Sequence, residues 1–259
     1  MSEQAPLRCE VTDGVGTITI DRPGKRNAMS AAMWRKLPVL LERLETDPAV
    51  RVVVLTGAGG HFCAGADIGE LADITSGDLA TEAETALARF PKPTLAVIRG
   101  FAVGGGCQLA AACDLRLAAD DARFGITPAK LGILYPAEAT ARLVRLIGPA
   151  AAKYLLFSGE LVDAAHALRI GLVDEVLPAD RLAARVAEFT RILTSRSQFT
   201  QQGVKDIVEH AAAGTLTREL VEAWAAEARR SPDSAEGVAA FLERRPPVFT
   251  WTGPAAHRR

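Results

Sequence analysis

GAGGHFCAGADI at residues 57–68 and RGFAVGGGCQLAAACDLRLA at residues 99–118 decide how this chain is read. Each glycine-rich segment follows an apolar run, VVVLT at 52–56 and TLAVIR at 94–99, that reads as a buried strand. The second segment also opens a helix expected over 105–112. Gly57 and Gly59 fit the start of a GxGxxG nucleotide fingerprint, but Phe62 stands at its third position, and no GxxxxGK[ST] occurs. Dinucleotide and P-loop readings are therefore rejected. Gly104-Gly105-Gly106 has a logic of its own, because glycine lets a ligand approach the backbone and a helix N-terminus presents unpaired N–H groups. Such a turn either receives developing negative charge or only packs a strand tightly against a helix.

Outward from these turns, strands are expected over 7–11 and 15–20, flanking the hairpin pair Asp13-Gly14. Ser30 N-caps a helix toward Glu45, with Pro38 expected to kink or interrupt it. A further strand candidate covers 115–118, and helices are expected over 79–89, 137–146 and 150–157. After a strand at 173–177 the pattern changes: 181–193, 200–212, 216–230 and 235–243 read as helices with no strand between them. The fold class is therefore α/β with a helical C-terminal region. The expected division is a core over 1–195 and a helical region over 196–259.

The chain has 259 residues, 49% hydrophobic and 24% charged, enough for a substantial core. Thirty basic and 31 acidic residues leave a net charge of −1, which gives no basic excess for nucleic acid or an anionic membrane. The N-terminus has no signal-peptide pattern, and no apolar run nears the ~20 residues that span a bilayer. Cys9, Cys63, Cys107 and Cys113 form no CxxC pair and the four histidines are scattered, so no metal site is expected. Reduced, buried cysteines and a cytoplasmic location are expected.

The two glycine-rich segments together resemble the signature of the enoyl-CoA hydratase/isomerase family, the crotonase superfamily. Arg22-Pro23 with Asn27-Ala28-Met29 resembles the family's RPxxxNAM element. Phe124-Gly125, Leu131-Gly132, GELVDAAHALRIGLVDEV at 159–176 and FLERRPPVF at 241–249 also fit. The resemblance implies a crotonase-like spiral of β-β-α turns with a C-terminal α-helical trimerisation region, hence a homotrimer or homohexamer. It implies an acyl-CoA thioester substrate, with coenzyme A part of that substrate and no separate cofactor, and a place in fatty acid metabolism. The implied oxyanion hole is the N–H of Ala66 and the N–H of Gly105. The backbone around Lys25, Arg26 and Ala28, and around Cys63, Ala64, Gly65, Ala66 and Ile68, would hold the adenine and pantetheine. Lys25 and Arg26 read either as phosphate contacts or as solvated loop charges.

The chain departs from the family's hydratases where their two glutamates should stand. Gln108 occupies one position and Pro128, in FGITPAKLGI, the other. Glutamine is neutral and cannot serve as a general base. Gln108 either orients a substrate group or is a buried amide satisfied by backbone. The carboxylate used by the family's isomerases and dehalogenases is replaced by Pro136. TPAKLGILY resembles TPAxLGxxY of the family's methylmalonyl-CoA decarboxylase, whose tyrosine matches Tyr135, although that enzyme has histidine and glutamate where this chain has Ala66 and Gln108. Glu138 reads either as a displaced acid or base or as an exposed first-turn helix residue. Asp67 is expected to brace the following turn. Three functions follow: a lyase or hydratase acting on a CoA thioester, a decarboxylase of a malonyl-type CoA ester, and a non-catalytic CoA-thioester binder.

Overall fold

The computed structural model describes residues 6–253. Leu7–Thr12 (β1) and Val15–Ile20 (β2) form the expected antiparallel hairpin. Asp13 and Gly14 take positive φ, 50° and 82°, the conformation that matches a tight turn to strand twist. Ala31–Thr46 (α1) begins at Ser30, whose hydroxyl accepts the Met33 N–H. Its buried residues include Met33, Trp34, Leu37, Leu40, Leu41 and Leu44, one face at helical spacing. Contrary to expectation, the helix runs through Pro38. The ring removes one bond to the Trp34 carbonyl, but Leu37, Leu40 and Leu41 are buried on both sides of it and hold the backbone in register.

Val52–Gly57 (β3) leads to Leu71–Ser76 (α2) and Leu79–Ala88 (α3), then Thr94–Ile98 (β4), Phe101–Val103 (β5) and Gly105–Ala112 (α4). Leu115–Ala119 (β6) and Arg123–Gly125 (β7) precede Ala137–Ser158 (α5), whose two halves, expected as separate helices, meet at a kink at Gly148 (φ 75°, ψ 162°). Val162–Asp163 (β8), Ala164–Arg169 (α6) and Glu175–Leu177 (β9) follow. Leu182–Ser195 (α7), Gln198–Ala213 (α8), Arg218–Arg230 (α9) and Asp233–Glu243 (α10) complete the described elements.

The strands form two sheets. The larger runs β1-β2-β3-β4-β6-β9, parallel except for the β1–β2 hairpin. The smaller runs β5-β7-β8. Successive turns of chain place one strand in each sheet: β4 then β5, β6 then β7. The segment after β3 joins the same ladder, because Cys63 forms a parallel bridge to Ala102. The main core lies where α1, α3, α4 and α5 cover the larger sheet. A second cluster of Val54, Leu95, Leu117 and Leu182 lets α7 cover the other face.

Behind α4, Glu84 on α3 is fully buried and accepts a bond of 2.6 Å from Arg142 Nε on α5. Removing one partner of such a pair leaves a buried uncompensated charge, at a cost of about 3–5 kcal/mol. Arg142→Met should therefore lower stability to denaturant by that amount, whereas Arg218→Met, removing the exposed ion pair with Glu222, should change it little. Equal unfolding midpoints for the two variants would contradict this account of Glu84.

Candidate active site

The site grows from backbone laid rung upon rung. Cys63 N–H donates to the Phe101 carbonyl at 2.8 Å, and Val103 N–H donates back to the Cys63 carbonyl at 3.0 Å. On the other side of this segment, Met29 N–H donates to the Gly65 carbonyl and Asp67 N–H to the Met29 carbonyl, each at 2.8 Å. In such a parallel bridge the flanking residues make the bonds, so the N–H of Ala66 itself points away from Met29. Gly105 is the first residue of α4, where an amide has no intrahelical partner. Among the described residues neither the Ala66 nor the Gly105 N–H donates to a backbone carbonyl. The two are neighbours: a Cβ placed on Gly105 would lie 3.5 Å from Ala66 N, and one on Gly65 would lie 3.4 Å from Gly105 N.

Two glycines make this approach possible. Gly65 has φ 105°, and a Cβ there would sit 2.9 Å from the Val103 carbonyl oxygen. A Cβ on Gly106 would collide with the Cys63 carbonyl oxygen, so any side chain would split the two segments. Asn27 locks the turn from outside. It is fully buried at φ 61°, its Oδ1 accepts the Arg22 N–H at 2.9 Å, and its Nδ2 donates to the Ala58 and His61 carbonyls.

A pocket of about 160 Å³ is lined by both Ala66 and Gly105. Gln108, Pro128 and Tyr135 line it, as do Ala64, Gly65 and Ile68. Burial first, and then the nearby Cys107 and Glu84, hold the Tyr135 phenol well above its usual pKa. It therefore stays protonated and is a donor, not a base. Gln108 is 4% exposed and its Nε2 has no hydrogen-bond partner among the described residues. Trp34, which also lines the pocket, carries a second unpartnered donor, Nε1. A larger cleft of about 860 Å³ between α1, α5 and α8 includes neither amide.

Some expected site residues lie elsewhere or are engaged. Glu138 is exposed on the first turn of α5 and does not line the pocket, because Pro136 and Tyr135 turn the chain before it. The carboxylate that does line the pocket is Asp78, in the turn before α3 at φ 50°; nothing in the sequence pattern marked it. Lys25 Nζ lies 3.5 Å from Asp67 Oδ2, which Arg22 also contacts at 3.1 Å. The Arg26 guanidinium stacks 5.2 Å from the Phe101 ring centre. Both loop cations thus have protein partners, which ties Lys25, Arg26 and Ala28 to the turn. Asp67 braces that turn by accepting the Gly69 N–H at 3.2 Å, and this bond, with Arg22 and Lys25, keeps its carboxyl below the usual range. Among the described residues, no cluster of three His, Cys, Asp or Glu side chains suits a metal ion, and no helix is long and apolar enough to cross a membrane.

Comparison with known proteins places this geometry among relatives. Residues 10–252 match the family model described as enoyl-CoA hydratase/isomerase. The chain is 38% identical over 247 residues to a "probable enoyl-CoA hydratase" of Mycobacterium tuberculosis, covering 91% of this chain and 94% of that one. It is 35% identical over 245 residues to the 2,3-dehydroadipyl-CoA hydratase of Escherichia coli, covering 90% and 93%. A solved enoyl-CoA hydratase/isomerase family protein from Hyphomonas neptunium superposes with a TM-score of 0.91 at 33% identity, covering 97% of this chain and 100% of that one. These agreements bear out the expected crotonase-like fold.

Burial pushes the thiols of Cys63, Cys107 and Cys113 up to about 12, whereas Cys9 is half-buried. The thiolate is the reactive form, so at pH 8 those three are almost wholly protonated. The native protein should react with one equivalent of a thiol reagent at Cys9, and the unfolded chain with four. Fast labelling of Cys63 in the folded protein would show that the Cys63–Ala66 turn opens readily.

Proposed function

This chain belongs to the enoyl-CoA hydratase/isomerase family, and on that premise we propose that it binds an acyl-CoA thioester and stabilises the oxyanion of its enolate with the N–H groups of Ala66 and Gly105. The observation that supports this reading is the pairing of two uncommitted backbone amides at one pocket. Fixed donors in an enclosed site contribute about 3–4 kcal/mol each to a developing oxyanion, because they need no reorganisation as charge appears. Ala64, Gly65 and Ile68 would line the path of the pantetheine.

Proton transfer is the weaker part of the site. Gln108 cannot accept a proton and Pro128 has no polar side chain. Tyr135 is a donor held protonated by burial. The decarboxylase reading is supported by Tyr135 facing the pocket, since loss of CO₂ itself leaves the enolate. However, among the described residues no Lys, Arg or His lines the pocket to receive a carboxylate, which favours the first reading.

Turnover of an acyl-CoA panel tests these readings. Wild type should hydrate crotonyl-CoA well below the ordinary ~1–10³ s⁻¹ range, and Gln108→Glu alone should not restore it because Pro128 still lacks the second carboxylate. Gly105→Pro, which deletes one donor, should reduce any observed turnover at least ~10²-fold. Full activity of correctly folded Gly105→Pro would overturn the oxyanion assignment. Measurable CoA binding with no turnover of any thioester would favour the non-catalytic binder.

We also propose a homotrimer or homohexamer. Phe157, Phe241 and Leu242 are 75%, 82% and 75% exposed in the single chain, an apolar display that association would cover. Sedimentation velocity should report three or six chains, and a monomer at micromolar concentration would refute this.

A further inference from the structure

One wall of the pocket carries a single sign of charge. Residues 67–88 hold six acidic side chains and no Lys, Arg or His. Three of the six are committed: Asp67 to Arg22, Glu84 to Arg142, and Glu70 to the Ala31 N–H. The side chains of Asp73, Asp78 and Glu82 make no hydrogen bond or ion pair among the described residues. Of these three, Asp78 alone lines the pocket, and Thr75 and Thr81, three residues before and after it, line the pocket too. Their hydroxyls likewise have no partner among the described residues. Asp78 stands where an aspartate ordinarily caps a helix, yet its side chain accepts no N–H of α3. Its φ of 50° is a conformation that glycine adopts more cheaply, while neighbouring Gly77 takes φ −91°, open to any residue. Local structure therefore makes no use of this carboxylate.

The rest of the lining supplies no counter-charge. Leu71, Ile74, Leu131, Leu134 and Pro136 are apolar, and no Lys, Arg or His lines the pocket among the described residues. An alkyl chain filling this space would strip water from Asp78 and leave nothing in its place, and a terminal carboxylate would add repulsion. A cation offsets both costs. The threonine hydroxyls add acceptors that suit the N–H groups of an ammonium.

We propose that the acyl group carries a protonated amine, which Asp78 receives together with the hydroxyls of Thr75 and Thr81. This rests on the acyl-CoA reading above and deepens it by naming the charge of the acyl tail. An aliphatic amine has a reference pKa of about 10.4 and is charged at neutral pH. Asp78 is exposed, so water screens the attraction. Its effect is a selectivity of about fivefold between tails rather than an anchor for the whole ligand.

Equilibrium titration of ligand pairs matched in length tests this: 3-aminopropanoyl-CoA against butyryl-CoA, and 6-aminohexanoyl-CoA against heptanoyl-CoA, with adipyl-CoA as the anionic counterpart. The ratio within a pair cancels any effect of the charge on the CoA phosphates. Wild type should favour the amine about fivefold in at least one pair and should bind adipyl-CoA more weakly than heptanoyl-CoA. Raising salt from ~20 to ~500 mM should reduce the amine preference at least about twofold. Asp78→Asn removes the charge with a residue that tolerates the left-handed turn, so its ratio should fall to about one. Glu138→Gln, which removes an exposed acid outside the pocket, should leave the ratio as in wild type. Wild-type ratios of one in both pairs, a preference unmoved by salt, or one that Asp78→Asn retains, would overturn the inference and leave the acyl-CoA reading intact. Tighter binding of adipyl-CoA than of heptanoyl-CoA would overturn the sign of charge assigned to the tail. Failure of every one of these ligands to bind would overturn both readings together.

Discussion

The parallel bridge between Met29 and Ala66 is the constraint on which the rest of the site depends. By engaging the Gly65 carbonyl and the Asp67 N–H, Met29 leaves the Ala66 amide facing the other way. The next rung, Cys63 on β5, sets the height at which α4 begins and therefore where the Gly105 amide points. Asn27 and the Arg22–Asp67 ion pair brace this arrangement from the 22–28 loop. This pairing of backbone amides needs no particular side chain at Ala66, but it does need Gly65 and Gly106, because a Cβ at either would strike a carbonyl of the opposing segment.

Burial gives this pocket its chemical character. It contains donors in plenty and no enclosed carboxylate among its described lining residues. Ordinary hydration in the family's manner requires positioned acid–base groups, each worth about 10²–10⁴-fold. Gln108 stands where the sequence resemblance puts one such group and carries no charge. On the proposed reading, the site is better suited to holding an enolate than to drawing a proton from an unactivated carbon. The decision turns on protonation: burial raises the Tyr135 phenol, which makes it a hydrogen-bond donor at neutral pH and removes it as a base.

The periphery shows how charge is spent when a site is built from loops. Lys25 and Arg26 look free in the sequence, yet one leans on Asp67 and the other on the Phe101 ring. Their first effect is to hold the 22–28 loop against the glycine turn. The C-terminal helices are anchored in a similar way. Arg51 Nε donates to the Thr194 carbonyl, Ser197 Oγ to Asp233, and Lys205 Nζ to Asp114, each within 2.8 Å, while Phe199, Trp224 and Trp251 pack their rings together.

The sequence by itself determined the elements whose physics is local. The Asp13-Gly14 hairpin, the Ser30 cap, the buried strands at β3 and β4 and the glycine-opened α4 all follow from turn chemistry, capping and apolar runs. The two glycine-rich segments also marked the turns that bring Ala66 and Gly105 together at the pocket. Only the tertiary structure decided the rest. β5, β7 and β8 are two or three residues long, too short for alternation to register, and they exist because neighbouring rungs hydrogen-bond to them. The path of α1 through Pro38 depends on core contacts that outweigh one lost bond. Glu138 and Asp78 were indistinguishable as solvated acids on helix first turns or before them; the turn at Tyr135-Pro136 and the loop between α2 and α3 sent one outward and the other to the pocket mouth. Whether Trp34 and Gln108 would find partners was equally out of reach, because burial and hydrogen bonding are properties of surroundings brought together from distant parts of the chain.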